Sequence, residues 1–493
     1  MVEAGLMALL EPTTLLLLLL GTVAGVVLGV IPGISATMAV ALFLPFTFGL
    51  TPIAGFAMLM GLYIGGLSGG LITAILLNIP GNPASIATTF DGAPMARKGE
   101  ASKALGIGIF SSFLGSFVGF AFLVSLSPQI ARIALRFAPF EYFALTIFSI
   151  TLISSLTGKH VAKGLLSGLL GMLLATVGTS PIDLYHRFTF GMHQLTAGFN
   201  LIPVLVGMYA ITEVLSAVRD RDLESAEIVD FKLKGLGFKL SEYKSQIVNF
   251  FRSSLIGVGI GILPGIGAGT SALIAYATAR NQSKYPEKFG TGIIDGVVAP
   301  ESCNSAAVGG ALIPLLTLGI PGDAVTAILL GGLMIHGIVP GPTLFQNHGD
   351  LVFSIFGSYF IATILMLVIM YLGMRIFVKM LKIPKDVLFS VVVVLCAVGA
   401  FGDNNRSFDI IALIGIGIAG YLLSVLKFPL PPIVLGFILG PIAELNLRRG
   451  LMLTQGDFIP FLTRPISAAF LLIALASVAF SVIKNLRKNK KAG

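Results

Sequence analysis

The chain has 493 residues, 55% hydrophobic and 11% charged, with a mean hydropathy of +0.95. Soluble domains carry about 25% charged residues, so a water-soluble fold is excluded; strands of roughly ten alternating residues are absent, which excludes an outer-membrane barrel. The net charge of +9 lies in short loops and in the tail 484–491, the pattern of cytoplasm-facing segments and not of a nucleic-acid surface.

The N-terminal apolar run, Leu15 to Leu20, has no basic flank and no clear small-residue cleavage site, so it reads as a retained membrane segment. The stretch 13–48 is broken at Pro32-Gly33, giving two arms of a re-entrant hairpin. A long apolar run follows over 53–77 and ends at Asn78-Ile79-Pro80-Gly81-Asn82-Pro83. A polar stretch, 84–103, precedes candidate spans at 104–126, 140–157, 164–180 and 199–217. Residues 219–252 carry seven basic and six acidic side chains and read as a cytoplasmic linker. A second broken stretch, 253–279, is interrupted at Pro264-Gly265, and 296–318 runs into Pro321-Gly322. Further spans fall at 323–339, 351–377, 387–401, 408–426, 430–446 and 465–483. The 59 glycines suit close helix packing. Cys303 and Cys396 make neither a disulfide framework nor a metal cluster.

The halves are related. Gly29-Val30-Ile31-Pro32-Gly33-Ile34 returns 232 residues later as Gly261-Ile262-Leu263-Pro264-Gly265-Ile266. Asn78-Ile79-Pro80-Gly81 returns as Gly319-Ile320-Pro321-Gly322. Pro203-Val204-Leu205-Val206-Gly207 resembles Pro432-Ile433-Val434-Leu435-Gly436, with Glu213 and Glu444 following. The organisation is a first repeat over 1–218, the linker 219–252, a second repeat over 253–450, and an extra helix with a basic tail over 451–493. With linker and tail inside, each repeat crosses an odd number of times, so the repeats are inverted and the N-terminus lies outside. Arg132, Arg136, Arg448, Arg449 and Arg464 then lie outside, against the usual charge bias. The predicted fold is an all-α polytopic membrane protein of two inverted-topology repeats, with about 11 crossings plus two hairpins. Broken helices in such repeats are a signature of secondary transporters.

Leu77-Asn78-Ile79-Pro80-Gly81-Asn82, Pro300-Glu301-Ser302-Cys303-Asn304-Ser305-Ala306 and the run from Ile313 to Gly322 resemble the large membrane subunit of tripartite tricarboxylate transporters, the TctA family. The resemblance covers essentially the whole chain. It implies a permease of the bacterial inner membrane, not an enzyme, working with a small TctB-like membrane subunit and a periplasmic TctC-like solute-binding protein. It implies import of citrate or related organic acids by cation symport, usually with sodium, and an elevator mechanism with hairpin gates; it implies no bound cofactor.

Breaks free backbone groups. Helix N-termini offer N–H donors and a positive dipole end to a carboxylate, and freed carbonyls suit a hard cation. The candidate substrate and cation residues are Pro32, Gly33, Ser35 and Thr37 at the first break. At the second they are Asn78, Pro80, Gly81, Asn82 and Ser85. Pro264, Gly265, Gly267, Thr270 and Ser271 mark the third, and Gly319, Pro321, Gly322, Asp323 and Thr326 the fourth. A sodium site is expected near Asn78, Asn82 and Asp323. Asp323, whose counterpart is Asn82, reads either as an ion ligand or as a helix cap. Glu301, Asn304 and Ser305 form a second polar cluster that either faces the same cavity or caps a helix at the surface. Two alternatives remain open: a stand-alone cation/proton antiporter, which needs no binding protein, and an intramembrane enzyme, for which only Asp323 and Glu301 are available.

Overall fold

The computed structural model describes residues 2–156, 161–219, 237–380 and 385–492. Residues 220–236, half of the predicted linker, lie outside the described residues. Helix α1 (Val2–Leu9) leads into α2 (Pro12–Val30), the first break, α3 (Ala36–Phe43) and a 3₁₀ turn (Leu44–Thr47). Helix α4 (Pro52–Leu76) ends at the second break. A 3₁₀ turn (Pro83–Ser85) opens α5 (Ile86–Met95), and a π turn (Ala96–Glu100) leads to α6 (Ala101–Ala134). Then come α7 (Pro139–Leu156), α8 (Val161–Ala175) and two short strands, β1 (Gly178–Thr179) and β2 (His186–Arg187), paired antiparallel. Helices α9 (Leu201–Val206) and α10 (Thr212–Arg219) are joined by a π turn.

The second half begins with α11 (Leu240–Lys244) and α12 (Ile247–Gly261), then the third break and α13 (Gly267–Gln282). Helix α14 (Asp295–Leu318) ends at the fourth break and α15 (Ala324–Ile335) follows, with α16 (Leu344–Asn347) and α17 (Gly349–Met380) behind it. The chain closes with α18 (Lys385–Asn404), α19 (Ser407–Val425), α20 (Leu430–Leu453), α21 (Ile459–Thr463) and α22 (Pro465–Ala492). Among the described residues, 7 helices are long and apolar enough to cross a membrane, and shorter apolar helices accompany them. The protein is a multi-pass helical membrane protein.

The four Pro-Gly pairs at 32–33, 80–81, 264–265 and 321–322 interrupt helices; a fifth, Pro340-Gly341, lies in the loop after α15. Pro128, Pro300, Pro314 and Pro441, each without a following glycine, stay inside helices. Proline alone removes one donor; glycine next to it lets the chain leave the helical path. The predicted span 164–180 stops short at Ala175, because Gly178 takes a left-handed φ of 113° and the chain turns into β1.

Glycines set the packing of the first two broken helices. A Cβ on Gly21, Gly25 or Gly29 would lie 2.2, 2.6 or 2.3 Å from the carbonyl oxygens of Met58, Leu62 and Gly66. Backbone therefore lies on backbone, and the rising numbers show that α2 and α4 run parallel. Since α3 ends at the start of α4, where Thr47 packs on Gly55, α2 and α3 form a hairpin whose two ends lie together. In the second half, Gly257 and Gly261 meet the carbonyls of Cys303 and Ala307 at 2.1 and 2.5 Å, so α12 and α14 are parallel as well. Arg252 near the start of α12 donates to Gln282 at the end of α13 (2.9 Å), which closes the second hairpin.

The direction of one pair relative to the other follows from α6 and α17. Helix α6 runs parallel to α14, with Gly115 on Ser302 and Gly119 on Ala306. It runs antiparallel to α17: Tyr371 donates to the Gly106 carbonyl, while Phe120 stacks on Tyr359. Helix α17 starts where the chain enters α2, with Asp350 against Gly5, and lies along α2 and α4. The α12–α14 pair therefore points opposite to the α2–α4 pair.

Asp91 ties the halves together at one end. It is fully buried on α5, and its Oδ1 accepts from the backbone N–H of Gly290, Gly292 and Ile293 (2.9, 2.8 and 3.0 Å). Its Oδ2 accepts from the Tyr276 hydroxyl at 2.8 Å. An unpaired buried donor costs about 1–3 kcal/mol. The Tyr276 hydroxyl is the buried one of these donors, so Asp91→Ala is expected to lower stability by about 1–3 kcal/mol, and Asp91→Asn by less because it keeps Oδ1. Thermal unfolding of the solubilised protein measures both; an unchanged midpoint for Asp91→Ala would remove this role.

Candidate anion cavity between the four breaks

The four interruptions converge. A cavity of about 310 Å³ is lined by Ser35 and Thr37 after the first break, Asn82 and Ile86 after the second, the run from Gly265 to Thr270 at the third, and Asp323 to Val325 after the fourth. Leu67 of α4, Leu273 of α13 and Pro431 of α20 also line it. Each break is followed by a helix whose N-terminus lies at this cavity. Four positive dipole ends thus meet in one place.

Three of these N-termini carry side-chain caps. Ser35 Oγ accepts from Met38 N (3.1 Å). Asn82 Oδ1 accepts from Ala84 N and Ser85 N, both at 3.0 Å. Asp323 Oδ1 accepts from Thr326 N at 2.7 Å. Asn82 and Asp323 both sit in reciprocal capping boxes, with Ser85 and Thr326 as the returning partners. The fourth N-terminus differs. Helix α13 has no side-chain cap, and Gly265, Gly267 and Gly269 bring bare backbone to the cavity wall. Uncapped N–H groups on a glycine-rich turn are ready donors for an anion.

The breaks also hold one another. Gly265 N donates to the Gly322 carbonyl at 2.7 Å, and a Cβ on Gly267 would stand 3.7 Å from that of Asp323. A Cβ on Gly322 would meet Gly261 O at 2.6 Å, and one on Gly81 would meet Gly29 O at 2.7 Å. The same contact is made in both halves.

Other predicted residues stand outside the wall. Gly81, Pro264, Pro321 and Gly322 are buried beneath it, as is Ser271, which donates to the Ala268 carbonyl at 2.7 Å. Gly319 ends α14 with a left-handed φ of 70°. Pro32 is buried but does not line the cavity, and Gly33 is exposed on the side of Ala217 and Phe389. Asn78 and Pro80 are exposed and do not line the cavity, so Asn78 is not grouped there with Asn82 and Asp323. Asn82 itself is fully engaged, since its Nδ2 donates to the carbonyls of Gly66 (3.3 Å) and Leu67 (3.0 Å). Glu301, Asn304 and Ser305 are buried on α14 but do not line the cavity, which answers both expectations for that cluster: it neither faces the cavity nor caps a helix at the surface.

Two residues escape a reading by motif. The Tyr63 hydroxyl, fully buried on α4, donates to Asp323 Oδ2 at 2.5 Å. Its only sequence signal is a tyrosine within the glycine-rich run of α4. Glu213 Oε2 accepts from Ser35 Oγ at 2.8 Å, behind the first cap. Its sequence counterpart Glu444 instead pairs with Arg187 and Arg448, at 2.8 and 2.9 Å.

The model of the tripartite tricarboxylate transporter TctA family matches residues 15–435. The chain belongs to the TctA family. It is similar to an uncharacterised 52.8 kDa protein of the TAR-I ttuC′ 3′ region of Agrobacterium vitis, 36% identical over 481 residues, or 98% of this chain and 95% of that one. A second uncharacterised protein from the TAR-II ttuC′ 3′ region of Agrobacterium vitis is 38% identical over 231 residues, covering 47% of this chain and 96% of its own length. No solved structure matches. Family members are subunits of tripartite tricarboxylate transporters, so a transport role is the one the chain inherits.

Proposed function

We propose that the protein is the permease subunit of a binding-protein-dependent importer of organic acids, working by cation symport in the bacterial inner membrane. The observation that carries this reading is the meeting of four helix N-termini at one cavity, one of them uncapped and glycine-lined. A di- or tricarboxylate presents several negative groups to such a set. Among the described residues no lysine, arginine or histidine lines the wall, so its attraction comes from backbone dipoles.

Asp323 accounts for the cation. A carboxylate in the wall of an anion site repels the substrate unless a positive ion is present. A hard cation such as sodium held by Asp323 and by carbonyls freed at the breaks makes anion and cation binding mutually dependent, which is symport. The opposite directions of the α2–α4 and α12–α14 pairs support inverted repeats, and the two hairpins support an elevator-type movement around the cavity. A small TctB-like membrane subunit and a periplasmic TctC-like binding protein would complete the system.

The test is uptake of radiolabelled citrate and smaller dicarboxylates into vesicles holding the permease and its small subunit, with the cognate binding protein added outside. Uptake should require both the binding protein and an inward sodium gradient. Equal uptake without the gradient sinks symport; equal uptake without the binding protein favours a stand-alone carrier.

A further inference from the structure

A second buried carboxyl lies outside the cavity. Glu301, on the second turn of α14, is 1% exposed. Its Oε1 is 2.5 Å from the Thr88 hydroxyl of α5, and its Oε2 is 2.8 Å from the Ser112 hydroxyl of α6. One turn along the same face, Asn304 and Ser305 are 1% and 2% exposed. Both polar atoms of the Asn304 side chain and the Ser305 hydroxyl are without a partner.

Among the described residues, no positive group compensates Glu301. On the elements packed against α14, Lys103 pairs with Glu242, and Arg252 is held by Gln282 and Asn249. Arg132 and Arg280 are exposed at helix ends. Tyr276 donates to Asp91 and Tyr63 to Asp323, and on α14 itself Asp295 accepts from Gln246 while Cys303 is a buried thiol. An isolated ionised carboxylate in such a place is expensive, and the usual outcome is that it takes up a proton. The two hydroxyls stand at hydrogen-bond distance from the two carboxyl oxygens, one at each. Each hydroxyl can accept as readily as donate, so the acid proton has a partner at either oxygen.

We propose that Glu301 is a proton-binding site of the transport cycle, additional to the cation at Asp323, with Thr88 and Ser112 as its shell and the Asn304 amide as the next polar group on the proton's path. This rests on the transport reading above. The step is a simple exchange: the carboxylic acid releases its proton to water on one side and the carboxylate regains one from the other. Coupling to the substrate runs through α5. Thr88 is two residues beyond Ile86, which lines the cavity, on the helix that Asn82 caps. Filling the cavity therefore acts on the position of a donor to Glu301.

Two measurements test it. First, infrared spectra of the purified protein should show a protonated-carboxyl band near neutral pH that is absent from Glu301→Gln. This readout does not depend on transport, so it stands or falls apart from the importer reading. A band unchanged in Glu301→Gln overturns the proposal. Second, Glu301→Gln, a neutral isostere, should retain exchange of internal for external carboxylate while net uptake loses its response to a pH gradient, by at least tenfold. Thr88→Ala should shift the pH profile of uptake without abolishing it. If Glu301→Gln keeps the wild-type pH response at a normal sodium response, Glu301 is structural only.

Discussion

Gly322→Ala is expected to cut carboxylate uptake by at least tenfold while the protein still reaches the membrane. The new methyl group would lie 2.6 Å from the Gly261 carbonyl oxygen and 2.6 Å from the Ala311 Cα. Both are backbone atoms of packed helices, so the fourth break must move instead. Overpacking of this kind costs about 1–3 kcal/mol, and a tenfold effect needs only about 1.4 kcal/mol of it at the site. The displaced segment carries Asp323 and the N-terminus of α15 out of register with the α13 turn. Gly81→Ala should behave alike, since its Cβ would stand 2.6 Å from the Gly70 Cα and 2.7 Å from the Gly29 carbonyl. Gly49→Ala is the control, because nothing lies within 4 Å of its Cβ. Wild-type uptake by both Gly322→Ala and Gly81→Ala would show that the breaks do not shape the site.

The second large effect separates the two roles of Asp323. The residue caps α15, accepts from Tyr63 and faces the cavity at once. Asparagine is as good a cap as aspartate, so Asp323→Asn should unfold close to the wild-type temperature. Its uptake should lose the response to sodium, because the charge that demands a cation is gone. Asp323→Ala loses the cap as well, at about 0.5–2 kcal/mol, and leaves the buried Tyr63 hydroxyl without its acceptor, at about 1–3 kcal/mol. Uptake against sodium concentration for both variants, beside their melting curves, decides the matter. A normal sodium response in Asp323→Asn would leave Asp323 as a cap and nothing more.

Pro32-Gly33, Pro80-Gly81, Pro264-Gly265 and Pro321-Gly322 were legible as breaks because each pair combines a missing donor with a permissive backbone. Repetition at matched places then made them a set. Which side of each pair faces the cavity was not legible. The residues after the breaks line it, whereas Gly33, Asn78 and Pro80 do not. That choice depends on how α2 lies on α4 and α12 on α14, which is tertiary information. Asp323 was legible from its chemistry, as a charge within an apolar stretch. Tyr63 was not, because only the folded chain brings it across 260 positions to that carboxylate. The Glu301 cluster could be named from the sequence, but its separation from the cavity appears only once Thr88 and Ser112 are seen closing over it.

Among the described residues, no basic side chain lines the cavity. Apart from the Thr37 and Thr270 hydroxyls, its free donors belong to the main chain, which every substitution except proline leaves in place. An alanine scan of the wall will therefore under-report recognition, and few single changes will look decisive. Exchange of one acid for another would instead come through bulk at Ala36, Leu67, Ile86, Leu273 and Val325, which sets how far each carboxylate reaches toward a helix end. Such a site can change its cargo by small apolar steps while the device that holds the charge stays the same.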